Sequence, residues 1–132
     1  TYEFFGFPVL RAVFDQAAPD PGDWRYQHSD SAMGHLLPLL STLDLSQVNF
    51  GPTLTVQQIR EHMPGTVIQG QLAPFTFSRN QEVEMVAEFL SDYEMARDTR
   101  GLLFDTAGSI NGGSRLTSMR LLMAAIQHYG RY

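Results

Sequence analysis

The sequence predicts an α/β fold in which one leading helix is followed by four strand–helix units whose strands run parallel. Three observations predict it. Short β-type runs alternate four times with segments of helical periodicity. Each junction is punctuated by Gly, Pro or helix-capping residues. The length of 132 residues, 43% of them hydrophobic, builds one core and not two. Strand-then-helix alternation of this kind requires parallel pairing through right-handed crossovers.

The leading helix is expected over Tyr2 to Asp15, where Phe4, Phe5, Val9, Leu10, Val13 and Phe14 make a broad apolar face. Pro8 either kinks it or marks its start. Ala17 to Asp23 (AAPDPGD) is a loop, so residues 1–23 form a leading helix and loop and residues 24–132 hold the four units. In the first unit a strand over Trp24 to His28 is followed by Ser29-Asp30-Ser31, a cluster of N-cap residue types, and by an apolar helix from Ala32 to Leu43. The second has a strand over Gln47 to Phe50, a Gly51-Pro52-Thr53 turn, and a helix opened by a Thr55/Gln58 capping box that stops before Pro64. The third runs from a strand over Thr66 to Leu72 through the loop Ala73 to Arg79. Its helix spans about Asn80 to Thr99, with Val83, Val86, Leu90 and Tyr93 on one face and Glu82, Glu84, Glu88, Asp92 and Glu94 expected in water. The last has a strand over Leu102 to Thr106, the glycine-rich loop Ala107 to Ser114, and a helix carrying Leu116, Met119, Met123 and Ile126.

Composition removes several kinds of chemistry. A net charge of −5 with no basic stripe argues against nucleic acid or an anionic membrane as partner. All nine basic residues are arginine, which excludes a Schiff-base lysine and a phosphate-loop lysine. The absence of cysteine removes disulfides, thiolate nucleophiles and sulfur-bound zinc, and leaves the redox compartment open. Apolar runs are too short to span a bilayer and no signal peptide opens the chain, so a cytoplasmic protein is expected. A start at Thr1, directly into an apolar run, suggests a chain cut from something longer.

In parallel α/β architectures ligands bind at the carboxyl ends of the strands, where loops and helix amino ends converge. That rule selects His28, Asp30 and Ser31 at the first end, Asn49 at the second, Gln69 and Gln71 at the third, and Asp105, Thr106, Ser109 and Asn111 at the fourth. Capping groups at strand ends account for such residues equally well. His28 and Asp30 are the sharpest pair, because a histidine and a carboxylate two residues apart on a strand share one side and can exchange a proton or bind a metal. Two ligands do not make a zinc site, so metal binding is not expected. AGSINGGS (107–114), with Arg115 entering the next helix, either cradles an anion on backbone N–H groups or uses its glycines for positive φ. GxSxG is absent around Ser109, against a hydrolase nucleophile.

YQHSDSAMGHLLPLL (26–40), VNFGPT (48–53), VIQGQLAPFTF (67–77) and LLFDTAGSINGGS (102–114) resemble, in order and spacing, the carboxyl-terminal half of the uroporphyrinogen decarboxylase superfamily. That superfamily includes cobamide-dependent methyltransferases, which move methyl groups between a corrinoid protein and a thiol. VIQGQLAP is the most specific piece, similar to the QGNLDP turn of the decarboxylases. The resemblance covers nearly the whole chain from residue 24 and implies half of a (β/α)8 TIM-type barrel, its last four strands. The sequence also departs from both branches. Where decarboxylases have a GHG turn on the last strand this chain has Gly108-Ser109-Ile110. Of the positions that ligate zinc in the methyltransferases only His28 matches, with Asp30 in place of one cysteine and Gly108 or Ser109 in place of another. It is therefore similar to divergent members.

The resemblance implies a lyase or a methyltransferase acting on a tetrapyrrole or in corrinoid-linked methyl transfer, the amino-terminal half and its catalytic residues being missing. His28 and Asp30 would be catalytic, with Ser31, Asn49, Gln69, Gln71, Asp105, Ser109, Asn111 and Arg115 binding substrate. No cofactor is required, zinc is not expected, and a corrinoid protein is a candidate partner. The alternative is a structural half barrel without chemistry of its own. Either way two open strand edges, and an inner face expected to carry, depending on the pleat, residues such as Val48, Phe50, Ile68, Leu72, Leu103 and Phe104, call for a second copy or a complementary half barrel.

Overall fold

The computed structural model describes residues 1–131. Helices α1 (Tyr2–Phe5) and α2 (Phe7–Ala17) lead into a sheet of four parallel strands, β1 (Tyr26–Ser29), β2 (Gln47–Phe50), β3 (Val67–Leu72) and β4 (Leu102–Thr106), in the order β1-β2-β3-β4. Between them lie α3 (Leu37–Leu40), α4 (Val56–His62), α5 (Pro74–Ser78) and α6 (Glu82–Ala96), and α7 (Leu116–Tyr129) follows β4. The protein is α/β, and its strand–helix units follow the expected order.

Local differences have local causes. The leading helix breaks at Gly6, and Pro8 lies in the first turn of α2, so it starts a helix and does not kink one. The apolar stretch from Ala32 to Leu43 is not one helix: 3₁₀ turns at Gly34–Leu36 and Ser41–Leu43 flank a single turn of α-helix, since Pro38 lacks the N–H that a continuous helix would use there. The Thr55/Gln58 capping box forms as its spacing requires, with Gln58 N donating to Thr55 Oγ1 and Thr55 N to Gln58 Oε1. The expected loop at Ala73 to Arg79 contains the short helix α5, begun by Pro74.

Strand alternation sorts the side chains, and it corrects the expected inner face. Val48, Phe50 and Ile68 are buried with Leu37, Leu40 and Ile59 of the helix layer; Leu72 and Phe104 pack with Phe89 and Leu122. Five of the six apolar residues expected on the open face therefore lie under helices, and only Leu103, 51% exposed, stands in the open. The opposite parity is polar: Tyr26 and His28 on β1, Gln47 and Asn49 on β2, Gln69 on β3 and Asp105 on β4.

At the amino ends of the strands the Arg60 guanidinium donates to the carbonyls of Met63, Pro64 and Thr66 and to those of Arg100 and Gly101, joining the entrances of β3 and β4. A second correction concerns α6. Glu88 and Asp92 do not face water. Glu88 accepts hydrogen bonds from Ala73 N and Thr76 Oγ1, at 2.9 and 2.6 Å, and Asp92, only 6% exposed, accepts one from Gln71 N at 3.2 Å. Burial pushes the Asp92 carboxyl up from 3.8 to about 6; the Gln71 N–H opposes the shift and Glu88 adds to it.

A carboxyl whose folded pKa is raised destabilises the fold as it ionises. The cost is absent below pH 3.8 and complete above about pH 6. Asp92→Asn, which stays neutral and keeps an acceptor for Gln71 N, is expected to match the wild-type melting temperature near pH 4 and to exceed it above pH 7, by up to roughly 3 kcal/mol in stability. Thermal melts of both proteins across this range check the divergence.

Candidate functional site

Tyr26 opens β1 and His28 lies near its carboxyl end, and the two share the open face because they are two residues apart. The Tyr26 hydroxyl lies 3.5 Å from His28 Nδ1, and His28 Nε2 lies 3.0 Å from Asp30 Oδ1 just beyond the strand. Desolvation first, then the charges of Asp105 and Asp30, raise the pKa of Tyr26, so its phenol keeps its proton. A protonated phenol facing Nδ1 and a carboxylate facing Nε2 select the tautomer in which neutral His28 carries hydrogen on Nε2. The imidazole can then accept a second proton at Nδ1, and Asp30 is in place to stabilise the resulting cation. Both His28 and Asp30 remain about half exposed, 49% and 53% at the side chain, so a bound molecule can reach them.

Asp30 also borders a cleft of about 250 Å³ lined by Pro52, Phe75, Gly108, Ser109 and Asn111 among others. Gly108 is required there. Its φ is +124°, and a Cβ would stand 3.1 Å from Asp30 Oδ1. Gly51 is equally constrained, since a Cβ would lie 2.5 Å from the Asp30 carbonyl oxygen. Close approach of three strand ends thus depends on two glycines.

Deeper on the open face, side-chain amides form a ladder. Gln47 Nε2 donates to Gln69 Oε1 at 2.6 Å, and Gln69 Nε2 donates to Asp105 Oδ2 at 2.5 Å. The other oxygen of Asp105 accepts from Thr106 N. Asn49 is buried, with Nδ2 shared between the carbonyls of Gln69 and Thr106, and its Oδ1 has no partner among the described residues.

The structure therefore gathers Asp30, Ser109 and Asn111 around one cleft, with His28 joined to it through Asp30, and sets Asn49, Gln69 and Asp105 in the polar floor of the open face. Ser31 is exposed and does not line the cleft; its N–H turns back to Ser29 Oγ. Gln71 is buried away from the cleft, with Nε2 donating to the carbonyls of Gly51 and Leu54. Arg115 precedes α7 with its N–H on Asn80 Oδ1. Its neighbours Gly113 N and Ser114 N donate to Oδ1 and O of Asn111, so these three amides are already engaged by the protein's own acceptors. Among the described residues no group of three or more His, Asp or Glu is placed to hold a metal ion.

Strand-end reasoning overlooked Tyr26 and Gln47, whose i, i+2 spacing from His28 and Asn49 signals the shared face. It also overlooked Phe75, which is 64% exposed beside the cleft. No protein-family model matches the sequence, and no curated protein matches it.

Gly108→Ala forces an L-residue into a left-handed conformation and crowds Asp30. It should cost about 1–3 kcal/mol of stability and separate Asp30 from His28. Chemical denaturation measures the first effect, and the tautomer-sensitive imidazole ¹⁵N shifts of His28 report the second.

Proposed function

We propose that this chain is the carboxyl-terminal half of a (β/α)8 barrel of the uroporphyrinogen decarboxylase and cobamide-methyltransferase kind, and that His28 and Asp30 are its acid–base pair. The observation that carries the reading is the Tyr26–His28–Asp30 array, which runs along β1 to just beyond its carboxyl end, where Asp30 borders a cleft. Parallel β/α proteins bind and transform ligands at that end.

Both reactions implied by the resemblance move a proton. Decarboxylation leaves a carbon that must gain one, and a thiol that accepts a methyl group must lose one. His28 suits both transfers: the Tyr26 hydroxyl passes the proton between substrate and Nδ1, giving one proton as it takes another, and Asp30 holds the charged ring. Gln69 and Asp105 in the floor orient polar groups of the substrate, a tetrapyrrole or a corrinoid-linked methyl carrier. Zinc does not fit the residues present. Tetrahedral coordination takes at least three protein ligands, and His28 and Asp30 supply two, so no step is assigned to a metal.

Titrating the chain with coproporphyrin III and with hydroxocobalamin, followed by absorbance, is expected to show saturable binding of one of them, weakened at least about tenfold in His28→Ala. Binding of neither would favour the second reading, a half barrel without chemistry of its own.

That reading draws on the edges. Among the described residues β1 and β4 each have a free side, and exposed apolar residues belong to both, Trp24 just before β1 and Leu103 on β4. A second half, either another copy or a complementary chain, would cover them. Light scattering at low micromolar concentration is expected to give twice the chain mass if a copy serves; a stable monomer leaves a complementary half as the partner.

A further inference from the structure

The cleft has two facing walls that are far apart in sequence. One carries Pro52, in the turn after β2; the other carries Pro74 and Phe75, in the turn after β3. Neither wall is held by the open face. Both are tied from below by buried groups that the chemistry of His28 does not use.

The tie begins on α6. Asp92 and Glu88 are one turn apart and so lie on the same face of the helix. Asp92 Oδ2 accepts from Gln71 N at 3.2 Å, while Glu88 receives Ala73 N and Thr76 Oγ1, so two carboxylates fix the path of residues 71 to 76 around Pro74 and Phe75. Gln71 then reaches across. Its Nε2 donates to Leu54 O at 2.8 Å and to Gly51 O at 3.3 Å, closing on both ends of the turn that contains Pro52. Gly51 in turn abuts the Asp30 backbone so closely that no side chain fits between them. Gln71 is 7% exposed, and inside the protein these bonds have no water to replace them.

We propose that Asp92 and Gln71 are positioning residues for the cleft: Asp92 fixes Gln71, and Gln71 fixes the Pro52 wall and through Gly51 the seat of Asp30. The inference rests on the cleft being the binding site proposed above. The linkage itself is testable without any ligand.

Amide hydrogen exchange tests the linkage, and affinity for coproporphyrin III and hydroxocobalamin tests its use. Gln71→Met keeps size and burial but loses both donors. Exchange at Leu54, whose N–H closes the turn on Gly51 O, is expected to rise at least about tenfold while α7 stays protected. Asp92→Ala is expected to produce the same pattern, and Asp92→Asn, which retains an acceptor, to restore wild-type exchange. Whichever probe binds the wild type should bind Gln71→Met and Asp92→Ala about tenfold more weakly and Asp92→Asn normally. Wild-type exchange at Leu54 in Gln71→Met, or a uniform rise across the chain in either variant, would overturn the proposal. If neither probe binds while the exchange pattern holds, the linkage stands and the assignment of the cleft fails instead.

Discussion

Everything in this molecule follows from a parallel sheet covered by helices on one face only. Parallel pairing forces each connection to return over the sheet, and the connecting helices bring the apolar surface that Val48, Phe50 and Ile68 meet. Alternation then leaves the other parity uncovered, and a hydrogen-bonded polar surface tolerates that position. The Gln47–Gln69–Asp105 ladder pairs amide and carboxylate groups with one another, so the face that carries His28 needs no apolar cover.

Buried polarity does the opposite work beneath. Burial makes Asp92 costly once ionised, yet it answers the Gln71 N–H near the end of β3, while Glu88 answers the Ala73 N–H just beyond that strand. The carboxylates therefore hold an irregular piece of backbone at a defined height, next to the cleft. Arg60 plays the corresponding part at the other end of the strands, with carbonyls in place of amides.

The sequence made the strand–helix order legible because period-two and period-3.6 patterns meet at Gly, Pro and capping residues, and the Thr55/Gln58 pair states its own geometry. The nearness of Asp30 to Ser109 and Asn111 was legible too, since strand ends converge. Which acids of α6 turn inward was not. Asp92 shares the helical face of Met85, Phe89 and Ala96, but the face chosen from the sequence ran through Val83 and Leu90, which are exposed, and the partners that draw Glu88 inward, Ala73 N and Thr76 Oγ1, lie outside the helix. Gln71 escaped for a related reason. It follows Gly70, whose φ of 141° departs from regular strand geometry, so counting by twos along β3 does not give its direction. The parity of the apolar residues depended on register, and register is a property of partners that no single strand displays.

One consequence of the amide ladder reaches beyond this chain. Gln47, Gln69 and Asp105 bond one another, so they place few demands on what faces them across the open side. Under the half-barrel proposal, a segment lying opposite would be free to exchange residues or whole loops without unsettling this half. Change in such a protein would then fall unevenly, on one bank of the cleft.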